Sequence, residues 1–214
     1  MSFTLYTYFR SSAAYRARIA LGIKGIDYDA VTVHLRRGEH RNEDYRGLNP
    51  QALVPALGHD GAVIPQSLAI IEYLEEIQPV PPLLPTPAKA RALVRSMAQL
   101  IASEMHPLCN LRILVYLKEQ LGQAQEQIDA WYHHWIAEGF GSLERMATRY
   151  TGAGERCFGD DVTMADVCLV PQMFNARRFG CDLEPYPTLL GIDAALQALP
   201  VFAAAHPSKQ ADAE

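Results

Sequence analysis

With 214 residues, 49% of them hydrophobic and 20% charged, the chain is too apolar to be disordered and large enough to bury a core without disulfides or a structural metal. A net charge of −5 excludes the basic footprint of a non-specific nucleic-acid binder. The sequence has no run of 18 apolar residues to cross a membrane, and Met1 to Tyr8 lacks the basic-then-apolar layout of a secretory signal. Cys109, Cys157, Cys168 and Cys181 form no C-x-x-C pair, which predicts reduced thiols in a cytoplasmic protein.

In chain order, Phe3 to Tyr8 suits a strand. Ser11 to Lys24 suits a helix, with Ala13, Ala17, Ala20 and Leu21 at three- and four-residue spacings and Gly25 closing it. Tyr28 to Leu35 returns to strand character with Val31 and Val33 on one face, so the first 35 residues predict a β-α-β crossover. Val54 to Leu57 and Ala62 to Ile64 flank His59-Asp-Gly61, a short hairpin signal, and Ser67 to Ile77 is helical again, with Ile70, Leu74 and Ile77 on one stripe. Five of the nine residues Pro79–Pro87 are proline, the composition of a semi-rigid linker.

Beyond the linker the period is helical. Thr86-Pro87 offers an N-cap and a first-turn proline, and Ala90, Leu93, Val94, Met97, Leu100 and Ile101 form an apolar stripe. Pro107 is expected to interrupt, followed by helices from Leu108 to Leu121 and from Trp131 to Thr148. Thr163-Met-Ala-Asp166 reads as a capping-box start, which makes Asp166 a helix cap rather than a base. The expected division is an α/β half over 1–80, a linker over 81–87 and an all-helical half over 88–214.

Several residues could carry chemistry. Arg10-Ser-Ser12 lies where a strand ends and a helix begins. There, free amides and the helix dipole favour an anion, and Arg10 suits a carboxylate. Ser11 or Ser12 serves equally as a plain N-cap. The first half has no cysteine, so a thiolate at this helix end would have to come from a ligand. Arg16 and Arg18 read as a solvated or salt-bridged face. Pro55 implies an edge strand, a bulge or a cis bond; a cis bond would turn the Val54 N–H and C=O outward to pair with an extended peptide. Gln66 and Ser67 stand at a second helix start suited to a carboxylate. His106 and Asn110 share a helix face, with Arg112 about 120° around from His106. One of Arg177 and Arg178 is expected to be solvated. The adjacent His133 and His134 point apart, and with no cluster at zinc spacing, no metal is expected.

Tyr8-Phe-Arg-Ser-Ser12, Leu48-Asn-Pro50, Val54-Pro55, the block Gln66 to Leu74 and the block Val162 to Gln172 together resemble the zeta class of glutathione transferases, over nearly the whole chain. That group includes the maleylacetoacetate and maleylpyruvate isomerases. The resemblance implies a thioredoxin-like N-terminal domain, a helical C-terminal domain and a homodimer, with glutathione and a small dicarboxylate as ligands and neither nucleic acid nor membrane as partner. By position it implies Ser11 and Ser12 at the glutathione sulfur. It gives Val54 and Pro55 to the cysteinyl moiety, Gln66 and Ser67 to the γ-glutamyl group, and His40, Gln51, His106 and Asn110 further glutathione contacts. Arg10, Arg112 and Arg178 match the arginines that receive substrate carboxylates. Many zeta members read Ser-Ser-Cys here; this chain has Ala13, as the bacterial maleylpyruvate isomerases also lack that cysteine. The implied activity is a glutathione-dependent cis–trans isomerisation of maleylacetoacetate or maleylpyruvate in aromatic-compound breakdown. The alternatives are a broad glutathione transferase acting on α-halo acids or other electrophiles, and a non-catalytic glutathione-fold binding module.

Overall fold

The computed structural model describes residues 2–214. Four strands, β1 (Phe3–Thr7), β2 (Tyr28–Thr32), β3 (Ala56–His59) and β4 (Ala62–Pro65), are accompanied by α1 (Ser12–Ile23), α2 (Glu43–Leu48) and α3 (Ser67–Ile77). The helical remainder comprises α4 (Ala88–Gln99), a π-turn over Leu100–Met105, α5 (His106–Leu108), α6 (Leu111–Glu119), α7 (Gln125–Tyr150), α8 (Met164–Arg178), α9 (Pro187–Gln197) and α10 (Pro200–Ala205). The chain forms two compact units, Met1–Pro82 with Leu199–Glu214, and Leu83–Ala198.

In the first unit β1 and β2 pair in parallel from Phe3↔Tyr28 to Thr7↔Thr32, joined through α1 as the sequence predicts. β3 runs antiparallel to β1 and β4 antiparallel to β3, giving the order β2-β1-β3-β4. Asp60 (φ 50°) and Gly61 (φ 79°) are both left-handed, the two-residue hairpin that Asp-Gly favours. Strand alternation assigns the two faces. Thr7 accepts at Oγ1 from Arg18 of α1 at 3.1 Å, while the neighbouring Tyr6 ring lies 5.8 Å from Tyr45 of α2. The sheet therefore lies between α1 and α2, and α3 packs beside α1.

Three expectations change here. β2 stops at Thr32 instead of Leu35, because His34 caps a single 3-10 turn, Leu35–Arg37, with Nδ1 accepting from the Arg37 amide at 3.2 Å. Val31 stays 41% exposed because β2 is the sheet edge, whereas Val33 is buried. Arg16 and Arg18 are not a solvated face: they are 1% and 2% exposed, buried with the alanine stripe of α1. The helical half also does not run to 214. Tyr15 Oη donates to Phe202 O at 3.4 Å and Arg18 Nε to Ala205 O at 3.1 Å, so Leu199–Glu214 belongs to the first unit.

The second unit is built around α8, which is apolar and buried nearly all round, as expected of a central helix. Asp166 caps it, accepting from Thr163 N at 2.7 Å, Thr163 Oγ1 at 2.8 Å and Cys157 N at 2.8 Å. The α4 stripe is buried at Val94, Met97 and Ile101 as read from sequence. Gly139 of α7 leaves room for Met105, whose Sδ would otherwise lie 2.0 Å from a β-carbon. Leu83 and Leu84 of the proline-rich segment are buried, and Leu83 O accepts from Met164 N at 2.8 Å, so that end of the linker is anchored.

Three helix starts move, α7 among them, which begins at Gln125 rather than Trp131 and runs to Tyr150. The cap position of α4 is Pro87 rather than Thr86, whose carbonyl instead accepts from Arg91. Pro107 does not stop the helix. The preceding turn widens into the π-turn, which accommodates the missing amide and the bulk of the ring, and the path breaks only at Cys109 and Asn110. α6 then begins at Leu111, with Asn110 Oδ1 accepting from the Arg112 amide at 3.1 Å. Among the described residues no helix is long and apolar enough to cross a membrane.

Candidate active site

The start of α1 is organised by Ser11. Its amide donates to Tyr8 O at 3.0 Å, its Oγ accepts from Ala14 N at 3.2 Å and its carbonyl accepts from Tyr15 N at 2.8 Å. Ser11 is thus the N-cap, and Ser12 is the buried first residue of the helix. The two readings of this segment are compatible, because a hydroxyl that accepts from an amide keeps its own proton to donate. Among the described residues the Ala13 amide has no hydrogen bond, and the first turn contains no acidic residue. Arg10 stands at the same end with its guanidinium 4.8 Å from the Phe9 ring centroid. The helix end therefore combines a hydroxyl proton, an amide and a cation, a composition that selects an anion.

Two further features stand in the same unit. Leu53 O is fixed by Tyr45 Oη at 2.6 Å and Asn49 Nδ2 at 2.8 Å, which sets the peptide that follows. The Val54–Pro55 bond is cis, one of the three alternatives read from sequence. Among the described residues neither the Val54 N–H nor its C=O has a hydrogen bond. At the start of α3, Gln66 adopts φ 70°, a conformation a non-glycine residue holds only where its surroundings enforce it. Its Nε2 donates to Gln51 Oε1 at 2.9 Å, which brings two predicted residues together. Ser67 is buried and accepts at Oγ from Arg16 Nη1 at 3.3 Å. Arg16 is a supporting residue that sequence reasoning missed; its one signal was a place three residues after Ala13 on the apolar face of α1. His40 sits on the turn Glu39–Arg41, half-buried and with no hydrogen bond to Gln51 or Gln66. Burial and then the Arg41 charge lower its pKa, so the ring is neutral at pH 7.

The helical unit holds the remaining predicted residues. Asn110 Nδ2 meets His106 Nε2 at 3.2 Å, as their four-residue spacing predicts. Arg112 is exposed in the first turn of α6, beyond the break that separates it from the helix of His106. At the end of α8 the two arginines diverge. Arg177 pairs with the fully buried Asp193 at 2.6 Å, while the exposed Arg178 lies 4.7 Å over the Phe179 ring. Phe179 in turn stacks on Tyr132 at 4.0 Å, and Tyr132 O accepts from Cys109 Sγ at 3.8 Å. Tyr132 is thus a common neighbour of the Cys109–Asn110 break and the end of α8.

None of the chain's own thiols suits nucleophilic work. No disulfide joins the four cysteines, and burial pushes Cys109 to about 12 and Cys181 to about 11. Cys157 is raised as well, by its burial and by Asp166 beside it. His133 Nε2 meets Phe179 O at 2.7 Å, and among the described residues no group of three His, Cys, Asp or Glu side chains could hold a metal ion.

Residues 1–76 match the family model for the glutathione S-transferase N-terminal domain. A probable maleylacetoacetate isomerase of Vibrio cholerae is 50% identical over 100% of this chain and 99% of its own. A solved holo structure of maleyl pyruvate isomerase, a bacterial zeta-class glutathione S-transferase, superposes with TM-score 0.96 at 44% identity, covering 99% of this chain and 100% of that one. A maleylacetoacetate isomerase of Methylobacterium extorquens AM1, solved with malonate and glutathione bound, superposes with TM-score 0.94 at 40% identity over 99% of both chains. With the thioredoxin-like sheet and the Ser11 helix end already in place, these likenesses show that the chain belongs to the zeta-class glutathione transferases, in the group of maleylacetoacetate and maleylpyruvate isomerases.

Proposed function

We propose that this chain catalyses the glutathione-dependent cis-to-trans isomerisation of a maleyl dicarboxylate, maleylacetoacetate or maleylpyruvate, to its fumaryl isomer. The observation that carries the reading is the anion site at Ser11, built entirely from donors and a cation in a unit with no cysteine of its own. Such a site suits a thiolate brought by a ligand, and the M. extorquens relative binds both glutathione and a small dicarboxylate.

The residues present fit glutathione. The unpaired Val54 N–H and C=O would pair with the cysteinyl backbone, with Pro55 fixing that peptide. Gln66 and Ser67, at the start of α3, would hold the γ-glutamyl carboxylate, with Gln51 orienting the Gln66 amide. His40, which has a buried Nδ1 lacking a partner, is a further contact, as are His106 and Asn110 on the helical unit.

When bound, glutathione supplies the thiolate nucleophile that adds to and leaves the maleyl double bond, so that the carbon–carbon bond can turn. Ser11 donates a hydrogen bond from its hydroxyl to the sulfur, and the Ser12 end of α1 holds the negative charge there. Arg10, Arg112 and Arg178 bind the substrate carboxylates, and Arg10 faces the charge that develops on the conjugated carbonyl. On the family resemblance, the enzyme works as a homodimer in the cytoplasm.

The test is a parallel assay of maleylacetoacetate and maleylpyruvate, with and without glutathione, followed by ultraviolet absorbance. Glutathione-dependent isomerisation of either substrate supports the reading. Turnover of neither, with halide released from an α-halo acid instead, moves the assignment to a transferase.

A further inference from the structure

The backbone just before Arg10 and Ser11 is held from far away in the sequence. Phe9 N–H donates to Asp212 Oδ2 at 2.9 Å, and Phe9 C=O accepts from Arg18 Nη2 at 3.2 Å. Both polar groups of that peptide residue are therefore satisfied outside the sheet. Arg18 is itself tied to the same tail: its Nε donates to Ala205 O at 3.1 Å, and its Nη1 to Thr7 Oγ1 at 3.1 Å. One buried guanidinium thus joins the end of β1, the Phe9 peptide and the tail. Burial draws the Arg18 pKa down to about 10, and the nearby Asp212 charge opposes that fall.

The tail holds a second point on the same segment. Glu214 Oε1 accepts from His34 Nε2 at 2.9 Å and lies 3.4 Å from Arg37 Nη2. His34 Nδ1 already accepts the Arg37 amide, so the ring proton sits on Nε2 and is donated to Glu214. The His34 ring lies 4.9 Å from the Tyr8 ring, which flanks Phe9. The turn from Tyr8 to Ser11 closes through Ser11 N–H to Tyr8 O at 3.0 Å, so its entry is anchored to the tail and its exit to α1.

We propose that residues 205–214 form a strap that fixes the turn carrying Arg10 and Ser11, with Asp212 as a positioning residue for the anion site. The strap sets where Ser11 Oγ and the Arg10 guanidinium stand relative to the sulfur and substrate. Displacement of such groups by about 1 Å can cost up to about a hundredfold in rate. Its consequence for turnover rests on the isomerase reading above; its effect on the Tyr8–Ser11 turn does not.

The experiment compares the full-length chain with Asp212→Ala, Asp212→Asn and a chain ending at Gln210. It reads kcat, KM, glutathione binding by calorimetry, and hydrogen exchange at the Phe9, Ser11 and Ala13 amides. In Asp212→Ala and the shortened chain, kcat should fall about tenfold, with glutathione affinity within about twofold and exchange at Phe9 and Ser11 faster. Asp212→Asn, which keeps an acceptor for the Phe9 amide, should recover most of kcat. Wild-type kcat and unchanged exchange in Asp212→Ala would overturn the strap. If the unaltered chain has no isomerase activity, the functional reading fails, and exchange at Phe9 and Ser11 then decides the strap alone. Should Asp212→Ala fail to fold, Asp212→Glu gives the same readouts with the charge retained and the carboxylate displaced; unchanged values there also overturn the proposal.

Discussion

The Ser11 oxygen accepts from the Ala14 amide while its proton stays available, so one side chain caps α1 and, in the proposed function, addresses an anion at the same point. Alanine removes both roles, and their magnitudes separate them. Loss of the cap costs about 1 kcal/mol of stability, whereas loss of a preorganised donor to developing charge costs about a hundredfold in turnover. Ser11→Ala should therefore fold with a slightly lowered Tm, bind glutathione within a few-fold of wild type and lose most of kcat. Ser11→Thr should restore the cap and much of the rate. Equal turnover in Ser11→Ala and wild type would remove the hydroxyl from the mechanism.

At the scale of the element, α8 shows how one helix gives neighbouring residues different surroundings. Its first turn is closed by Asp166, whose three accepted hydrogen bonds act against a burial that raises its pKa. At its last turn Arg177 satisfies the buried Asp193, while Arg178 remains exposed over Phe179. Removing Arg177 leaves a carboxylate buried without its cation. Because the arginine itself is partly exposed, the cost is put at about 2 kcal/mol, below that of a fully buried pair. Arg177→Ala should lower the urea midpoint and leave KM for the dicarboxylate near wild type. Arg178→Ala should do the reverse, raising KM about tenfold, the worth of one charge-assisted contact, with an unchanged midpoint. If the two variants exchange these effects, the carboxylate assignment belongs to Arg177.

Across the molecule, the first unit is discontinuous: Met1–Pro82 is completed by Leu199–Glu214. Phe202 is buried, and its carbonyl and that of Ala205 accept from Tyr15 and the buried Arg18 of α1. A fragment of residues 1–82 would leave Arg18 without the Ala205 acceptor and expose the apolar surface that α10 covers. Its circular dichroism should show no cooperative melt at temperatures where the full chain is folded, while fusion of residues 199–214 to it should restore one. A cooperative melt of 1–82 alone would show that the tail is dispensable for this unit.

Local rules made much of this readable in advance. The parallel crossover, the Asp60-Gly61 hairpin, the caps at Ser11 and Asp166, and the His106–Asn110 contact depend on residues within a turn or a strand of one another. The makeup of the start of α1 was legible for the same reason, since a cap serine and an arginine beside a helix start act over a few ångströms. Burial of Arg16 and Arg18, the division of labour between Arg177 and Arg178, and the survival of the helix through Pro107 were not. Each depends on what packs opposite: Ser67 and Ala205, Asp193, and a preceding turn free to widen. The Phe9–Asp212 bond spans 203 residues, and no periodicity or spacing carries such a pairing. By itself the sequence determined the strands, most of the helices and the cation beside the start of α1, because these follow from short-range sterics and hydrogen bonding; α2, α9 and α10 carried no such signal. Only the tertiary structure decided which cations are buried staples and which stay exposed, because that depends on the acceptors distant parts of the chain bring to them.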